Sequence, residues 1–596
     1  MSAPALDLPA AGSRAVPFSQ RLRNPIWLLA PAVIFLSFIY LVPLIDLIRI
    51  SFNGSTPWIH FERVFSLPLY WDSLVRTMGI SVTVAILCCI FGYPTALMIH
   101  RTRGWVQVFV ATTIILPYFI AILIRTYSWM VLLGRNGPIN KLAVALGIFD
   151  EPMQLLFNRG AVLLGMTAVL LPIMVLSIYS SVARLDSGLT RAAAASGAGP
   201  IATFWRVLLP LTLPGAGAGF LLVFVMGLGF FITPTLLGGP GDQMFAMHIT
   251  QQANFVTSEG FLQALGVVLL VITLVVVGVA GRFLGFEFLW GGGKLAEAHE
   301  SKSRSGASAP HRRTAGMVVA DTLGWPILRA LSKLPGSVGR VTVSAMTIFV
   351  IATLIVPIVA VAIISFSHAS YMTFPPPSYS LRWYEEFFTD SAWIEAFLNS
   401  LSIAVISAVM AVALGASAAM GIVRSKIVGK TLIMLLIVSP VIVPPVVLGL
   451  SLYGLYLRTG LDGTIGGLAA AHAIGGLPIV VVIVSASLQS VSRDLERAAA
   501  VHGASPMTVF RMVTLPAIAP GLAAATFFAF LHSFDELVLT LFLTGPRLQT
   551  LPLRLWADVN YQLNPVLAVV STLEVLLVIG GIILARPVLA RPQRAQ

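Results

Sequence analysis

Twelve mainly apolar stretches divide this chain, each about 20 residues or longer and so able to cross a hydrocarbon core of roughly 30 Å as a helix. They cover about 26–50, 76–99, 106–133, 160–182, 209–237 and 262–285, then 340–366, 398–421, 430–457, 468–490, 516–543 and 564–585. Only 10% of the 596 residues are charged and 57% are hydrophobic, whereas a soluble domain carries roughly 25% charged residues. The expected fold class is all-α and integral to a membrane. Residues 1–25 form a tail, 26–285 and 340–586 two six-helix domains, 286–339 a linker and 587–596 a second tail. The linker contains GGGKLAEAHESKSRSGASAPHRR, too rich in Gly, Ser and Lys to bury a core, and reads as a tether.

The formal charge is +13, yet the basic residues do not mark a nucleic-acid partner. Arg21/Arg23, Arg101/Arg103, Lys302/Arg304/Arg312/Arg313, Arg424/Lys426/Lys430 and Arg586/Arg591/Arg594 lie beside spans, all on one side if each half has six. Asp150–Glu151, Asp242, Glu259, Glu385–Glu386 and Asp390 fall on the other. The positive-inside bias places the basic side and both termini in the cytoplasm. An even span count makes the halves parallel, related by an axis along the membrane normal. The first span is too long for a signal-peptide core and is expected to stay in place. Cys88 and Cys89 are adjacent in an apolar span, poorly placed for a disulfide and without metal-ligand spacing; they read as small core residues.

Two polar loops repeat. Leu189–Gly215 reads LTRAAAASGAGPIATFWRVLLPLTLPG and Leu495–Gly521 reads LERAAAVHGASPMTVFRMVTLPAIAPG, identical at 14 of 27 positions without a gap and at a constant offset of 306. Each joins the fourth and fifth spans of its half. The Ala-rich segment is a short helix with a smooth face, and Gly197 or Gly503 permits the left-handed turn that ends it. Ser505–Pro506 caps and starts a second helix, while Gly199–Pro200 does so with a weaker cap. Each loop is therefore an elbow of two helices at the cytoplasmic surface. Chain reversal alone would not need the same solvent-facing turn twice.

The elbows resemble the Glu-Ala-Ala loop of the membrane permeases of ABC-type importers, in which three residues, Gly and, further on, a Leu-Pro-like pair follow the acidic residue. The resemblance implies the type I importer permease fold, with each elbow a coupling helix docked on a cytoplasmic ATPase subunit. The positions implied are Arg191, Ala192, Ala193, Gly197, Pro200, Phe204 and Pro210, and Glu496, Arg497, Ala498, Ala499, Gly503, Pro506, Phe510 and Pro516. The Glu column departs from the pattern: it holds Arg191 and Arg497, with Glu496 one place earlier in the second copy and Thr190 there in the first. Beyond the elbows, RTYSWMVLLGRNGPIN (Arg125–Asn140), SLRWYEEFF (Ser380–Phe388) and SFDELVLTLFLTGP (Ser533–Pro546) resemble the spermidine/putrescine permease pair, one member per half. Implied with it are two ATPase subunits carrying ATP and Mg²⁺, an extracytoplasmic solute-binding protein, a small organic solute and a bacterial cytoplasmic membrane. The chain itself is expected to bind no cofactor and to be no enzyme, since it lacks a G-x-x-x-x-G-K-[ST] phosphate loop, a catalytic triad and a metal-ligand cluster.

Charges within spans ask for a reason. Asp535 and Glu536 fall in the fifth span of the second half, where a carboxylate costs roughly 2.5–3.5 kcal/mol at mid-bilayer. Their counterparts, Gly229 and Phe230, are neutral. If the span is one helix, the two point about 100° apart, one toward a cationic solute and the other to a neighbouring helix; a structural packing pair is the alternative. Arg125 reads as a snorkelling or pairing arginine near the outer end of the third span, with a pathway role as the alternative, and Glu574 in the sixth is similar. Tyr127, Trp129, Trp556 and Tyr561 read as an interfacial belt. Pro172/Pro478, Pro440 and Pro444–Pro445 suit close packing and helix breaks around a translocation path.

The leading reading is a fused permease of an ABC importer for a polyamine, with an opine- or amino-acid-like solute as the alternative. A twelve-helix secondary transporter would explain the duplication but not two coupling elbows. A non-transporting scaffold would leave the one-sided acidic pair without a purpose.

Overall fold

A computed structural model describes residues 25–255, 258–284, 336–425, 429–545, 548–561 and 564–589. Both tails, apart from Pro25 and residues 587–589, lie outside the described residues, as does the linker up to residue 335. In the first half the principal helices are α1 (Ile26–Ser51), α2 (Pro68–Arg101), α3 (Trp105–Ile115), α4 (Ile122–Leu133), α5 (Arg159–Ala183), α6 (Ser187–Ala195), α7 (Leu209–Leu228), α8 (Ile232–Leu237) and α9 (Glu259–Leu284). The second half repeats them in order: α10 (Gly336–Ile364), α11 (Ser391–Arg424), α12 (Lys430–Ile442), α13 (Pro445–Thr459), α14 (Ile465–Ser490), α15 (Arg493–Val501), α16 (Leu515–Phe534), α17 (Val538–Leu543) and α18 (Val566–Leu589). Among the described residues nine helices are long and apolar enough to cross a membrane, two further spans exist only as bent pairs, and Val566–Gly581 is a shorter apolar stretch in the twelfth position.

The third spans break, in the second half at the Pro444–Pro445 pair read from the sequence, and the fifth spans break where a continuous helix was expected. In the third span of the first half the chain bends by 101° between Trp105–Tyr118 and Ile122–Ala145, and in the second by 99° between α12 and α13. Extended backbone at Ile120–Ala121 and at Val443–Pro444 makes the two breaks. A proline lacks an N–H and disfavours the helical region for the residue before it, so Leu116–Pro117 and Pro444–Pro445 are natural stopping points. The fifth spans stop at Leu228 and Phe534 and resume as α8 and α17. Asp535 and Glu536 therefore sit in a helix break, not in a continuous helix, and the 100° argument for their directions does not apply.

Within each half the second, fourth and fifth spans form the core: α2 with α5 and α7, and α11 with α14 and α16. The first spans are exchanged, α1 packing on α11 and α10 on α2, so each half is completed by the other. The end of the repeated loop has a packing reason independent of any partner. A Cβ on Gly215 would lie 1.9 Å from Ser181 Oγ, and one on Gly521 would lie 1.8 Å from Ser487 Oγ, so only glycine lets the fourth and fifth spans meet there. Gly521→Ala is expected to lower stability by about 1–3 kcal/mol through overpacking. Thermal unfolding in detergent measures it, and adding Ser487→Gly should recover most of the loss.

Candidate functional site

The elbows are built alike. Asp186 accepts from the Gly188 amide at 2.8 Å to cap α6, and Ser492 accepts from Asp494 N at 3.2 Å to cap α15. Both helices end in the same left-handed glycine, φ +78° at Gly197 and +84° at Gly503. Its geometry uses the repeated alanines: Ala198 N and Gly197 N reach Ala193 O and Ala194 O at 3.0 Å, and Ala504 N and Gly503 N reach Ala499 O and Ala500 O at 3.1 and 3.0 Å. These paired bonds satisfy carbonyls that a helix end leaves open. Pro200 and Pro506 then open the short helices Pro200–Thr203 and Pro506–Val509. Ser505 caps the second by accepting from Thr508 N at 3.2 Å. A wider π turn follows in both copies, Phe204–Leu208 and Phe510–Thr514, directly before Pro210 and Pro516. Arg191, Ala192 and Gly197 are exposed, as are Arg497, Ala498 and Gly503, while Ala193, Ala499, Phe204 and Phe510 are half-buried.

Glu496 is placed differently from its neighbours. Its Oε1 accepts from Arg424 Nη2 at 2.8 Å and from Thr514 Oγ1 at 2.9 Å, turning the carboxylate toward the bundle.

The charges within spans gather at the seam between the halves. Arg125 is not at an exposed span end: it lies in the first turn of α4 and is only 7% exposed. Tyr127 and Trp129 on the same helix are likewise buried, so the interfacial belt expected of them is not what they form. Trp556 crosses the seam to Phe231, with ring centroids 5.7 Å apart. The break before α4 leaves amide hydrogens that bilayer hydrocarbon cannot satisfy. Ala121 N donates to Glu574 Oε1 at 3.1 Å, and Ile122 donates a backbone bond to the Asp535 carboxylate. Two carboxylates of the second half thus face the positive end of a first-half helix. Arg125, within Coulombic reach of both, gives Nη1 to Val169 O at 3.2 Å and leaves Nε unpartnered. Glu536 turns away and accepts from Leu539 N at 3.0 Å, capping α17.

The pseudo-equivalent seam is neutral. Gly229, the counterpart of Asp535, lies against Pro444, where a Cβ would fall 2.8 Å from the proline Cβ. Pro444 and Pro445 have no N–H, so this break needs fewer acceptors. Sequence reasoning missed the neighbouring polar cluster: His472 bonds through Nδ1 to Ser533 Oγ at 2.9 Å and through Nε2 to Thr540 Oγ1 at 3.3 Å, both buried. Its only linear signal was a lone His in an apolar span.

The chain matches the family of the binding-protein-dependent transport system inner membrane component twice, over residues 89–284 and 411–586. It belongs to that family. The two matches make the permease two family domains in one chain, and each contains one elbow. The spermidine/putrescine permease protein PotB of Escherichia coli is 34% identical over 185 residues, 31% of this chain and 67% of that one. PotB of Haemophilus influenzae is 34% identical over 228 residues, 37% of this chain and 80% of its own length. The putrescine permease protein PotI of E. coli is 34% identical over 226 residues, 36% of this chain and 79% of its own. A bacterial alginate ABC transporter, solved with an alginate pentasaccharide-bound periplasmic protein, aligns at 19% identity and a TM-score of 0.39 over 45% of this permease and 96% of its chain. Family membership makes the chain a multi-pass inner-membrane component of an ABC importer and sets aside the secondary transporter and the scaffold.

Removing an acceptor at the seam should be costly. Glu574→Ala leaves the Ala121 amide unpaired inside the protein, and the expected loss is about 1–3 kcal/mol. A lowered thermal midpoint in detergent, with Glu574→Gln retaining more stability than Glu574→Ala, checks it.

Proposed function

We propose that this permease carries a polyamine such as spermidine or putrescine into the cell, driven by two ATPase subunits docked on its cytoplasmic elbows. The observation that carries the solute class is the 34% identity to PotB and PotI, whose names state spermidine and putrescine transport. The seam agrees in charge. Asp535 and Glu574 set two carboxyl groups against one Arg125 at the junction of the halves, and the Asp535 side chain is half-buried. An ammonium group meeting Asp535 there would be stabilised by a desolvated carboxylate.

The docking reading is supported by the surface of the second elbow. Around Ala498 and Gly503 the second elbow exposes Val501 (84%), Met507 and Met512, an apolar group on a polar loop that fits a protein partner. The partners would bind ATP and Mg²⁺, and closing on ATP they would swing the elbows and turn the cavity from inward- to outward-facing. A solute-binding protein would deliver the polyamine from outside.

A second reading has one observation behind it. Arg125, buried with an unpartnered Nε beside two carboxylates, also suits a solute carrying both an ammonium and a carboxylate, such as an opine or amino acid.

Uptake by cells lacking other polyamine importers tests both. Labelled spermidine or putrescine should enter in an ATP-dependent way, and excess amino acid should not compete; competition by the amino acid would favour the second reading. Asp535→Asn is expected to cut uptake roughly ten-fold, the scale of 1.4 kcal/mol, in a complex that still assembles; unchanged uptake would remove Asp535 from the path. An ATPase should co-purify with the wild-type chain and be lost on Val501→Asp with Met507→Asp.

A further inference from the structure

The second elbow is fastened to its bundle by charge. One oxygen of Glu496 joins three elements: α15, the last turn of α11 through Arg424 (2.8 Å) and the turn entering α16 through Thr514 (2.9 Å). Arg493, at the start of α15, adds a bond from Nη2 to Val423 O at 2.6 Å. The Arg424 and Glu496 side chains are 15% and 21% exposed, so salt and water screen this pair less than an open surface pair. It spans a cavity of about 300 Å³ lined by Met420, Leu488, Val509 and Phe510, where apolar packing between elbow and bundle is incomplete.

At the 306-residue offset, Ser187, Thr190 and Leu208 replace Arg493, Glu496 and Thr514. None carries a charge. In the first elbow Phe204 packs edge-on against Tyr93 of α2, with centroids 5.3 Å apart, and the Tyr93 hydroxyl is hydrogen-bonded to Thr212 of α7. We infer that Glu496 is a positioning residue, not a docking residue, and that it makes the second elbow a stiff lever whose motion α11 and α16 must follow. Transmission through the second elbow is then charge-dependent. The inference rests on the proposed docking of ATPases at the elbows.

The test uses the complex of the full chain with the ATPase that co-purifies with it, in liposomes. Spin labels near the ends of α2 and α11 report the distance change on trapping with ATP and vanadate, a readout that needs no knowledge of the solute. Glu496→Gln should retain the ATPase in pull-down while the switched fraction per bound nucleotide falls on the order of five-fold, within the range seen when residues along a coupling path are changed. The exchange of Arg424→Glu with Glu496→Arg should restore most of the switching, which a general loss of folding would not allow. Loss of the ATPase from Glu496→Gln would make Glu496 a docking residue and overturn the inference, as would undiminished switching. A wild-type chain that retains no ATPase would instead defeat the functional reading beneath it.

Discussion

An amide hydrogen inside a bilayer must find an acceptor within the protein, and the broken third spans make that demand at the centre of this molecule. The two halves meet it with different chemistry. In the first half, Ala121 and Ile122 give their amides to Glu574 and Asp535 of the second, so ending α3 and restarting α4 requires the other half to be in place. In the second half, Pro444 and Pro445 remove the donors themselves, and Gly229 fills the place opposite. A duplicated fold thus has one acidic seam and one neutral seam. The two breaks therefore differ in chemistry, although the helices follow the same order in both halves.

The exchanged first spans reinforce this dependence. With α1 packed on α11 and α10 on α2, neither half completes its core alone. Further ties run across the seam: Arg458 Nη1 bonds Asp46 Oδ2 at 3.0 Å, and Lys141 Nζ bonds Phe374 O at 3.2 Å. Holding both halves in one chain keeps these partners at high effective concentration. In the proposed function the elbows act as levers on that frame, and their attachment sets how much of a push at the surface reaches the core.

The turns of the elbows were legible in the sequence because the residues that shape them are close neighbours and appear twice. Asp186 or Ser492 at the start, the alanine carbonyls, Gly197 or Gly503 in the left-handed turn and the proline behind it form a local code, and each part makes the bond its chemistry allows. The breaks were harder to read. Pro117 in an apolar run can kink a span or end it, and only the acceptors waiting on another span decide which. Arg125 could be read only as snorkelling or pairing for the same reason: its helix starts inside the protein, beside two carboxyl groups more than 400 positions away, and that leaves pairing.

By itself the sequence determined that the chain is a duplicated, all-helical membrane protein with two equivalent elbows, because hydrophobic length, helix caps and left-handed glycines act over a few neighbouring residues. Tertiary structure alone decided that the first half's third span breaks at Ile120–Ala121, which groups satisfy its freed amides and that Glu496 faces the bundle. Those outcomes depend on which groups remain unpaired once distant helices have packed, and no local stretch of the chain carries that information.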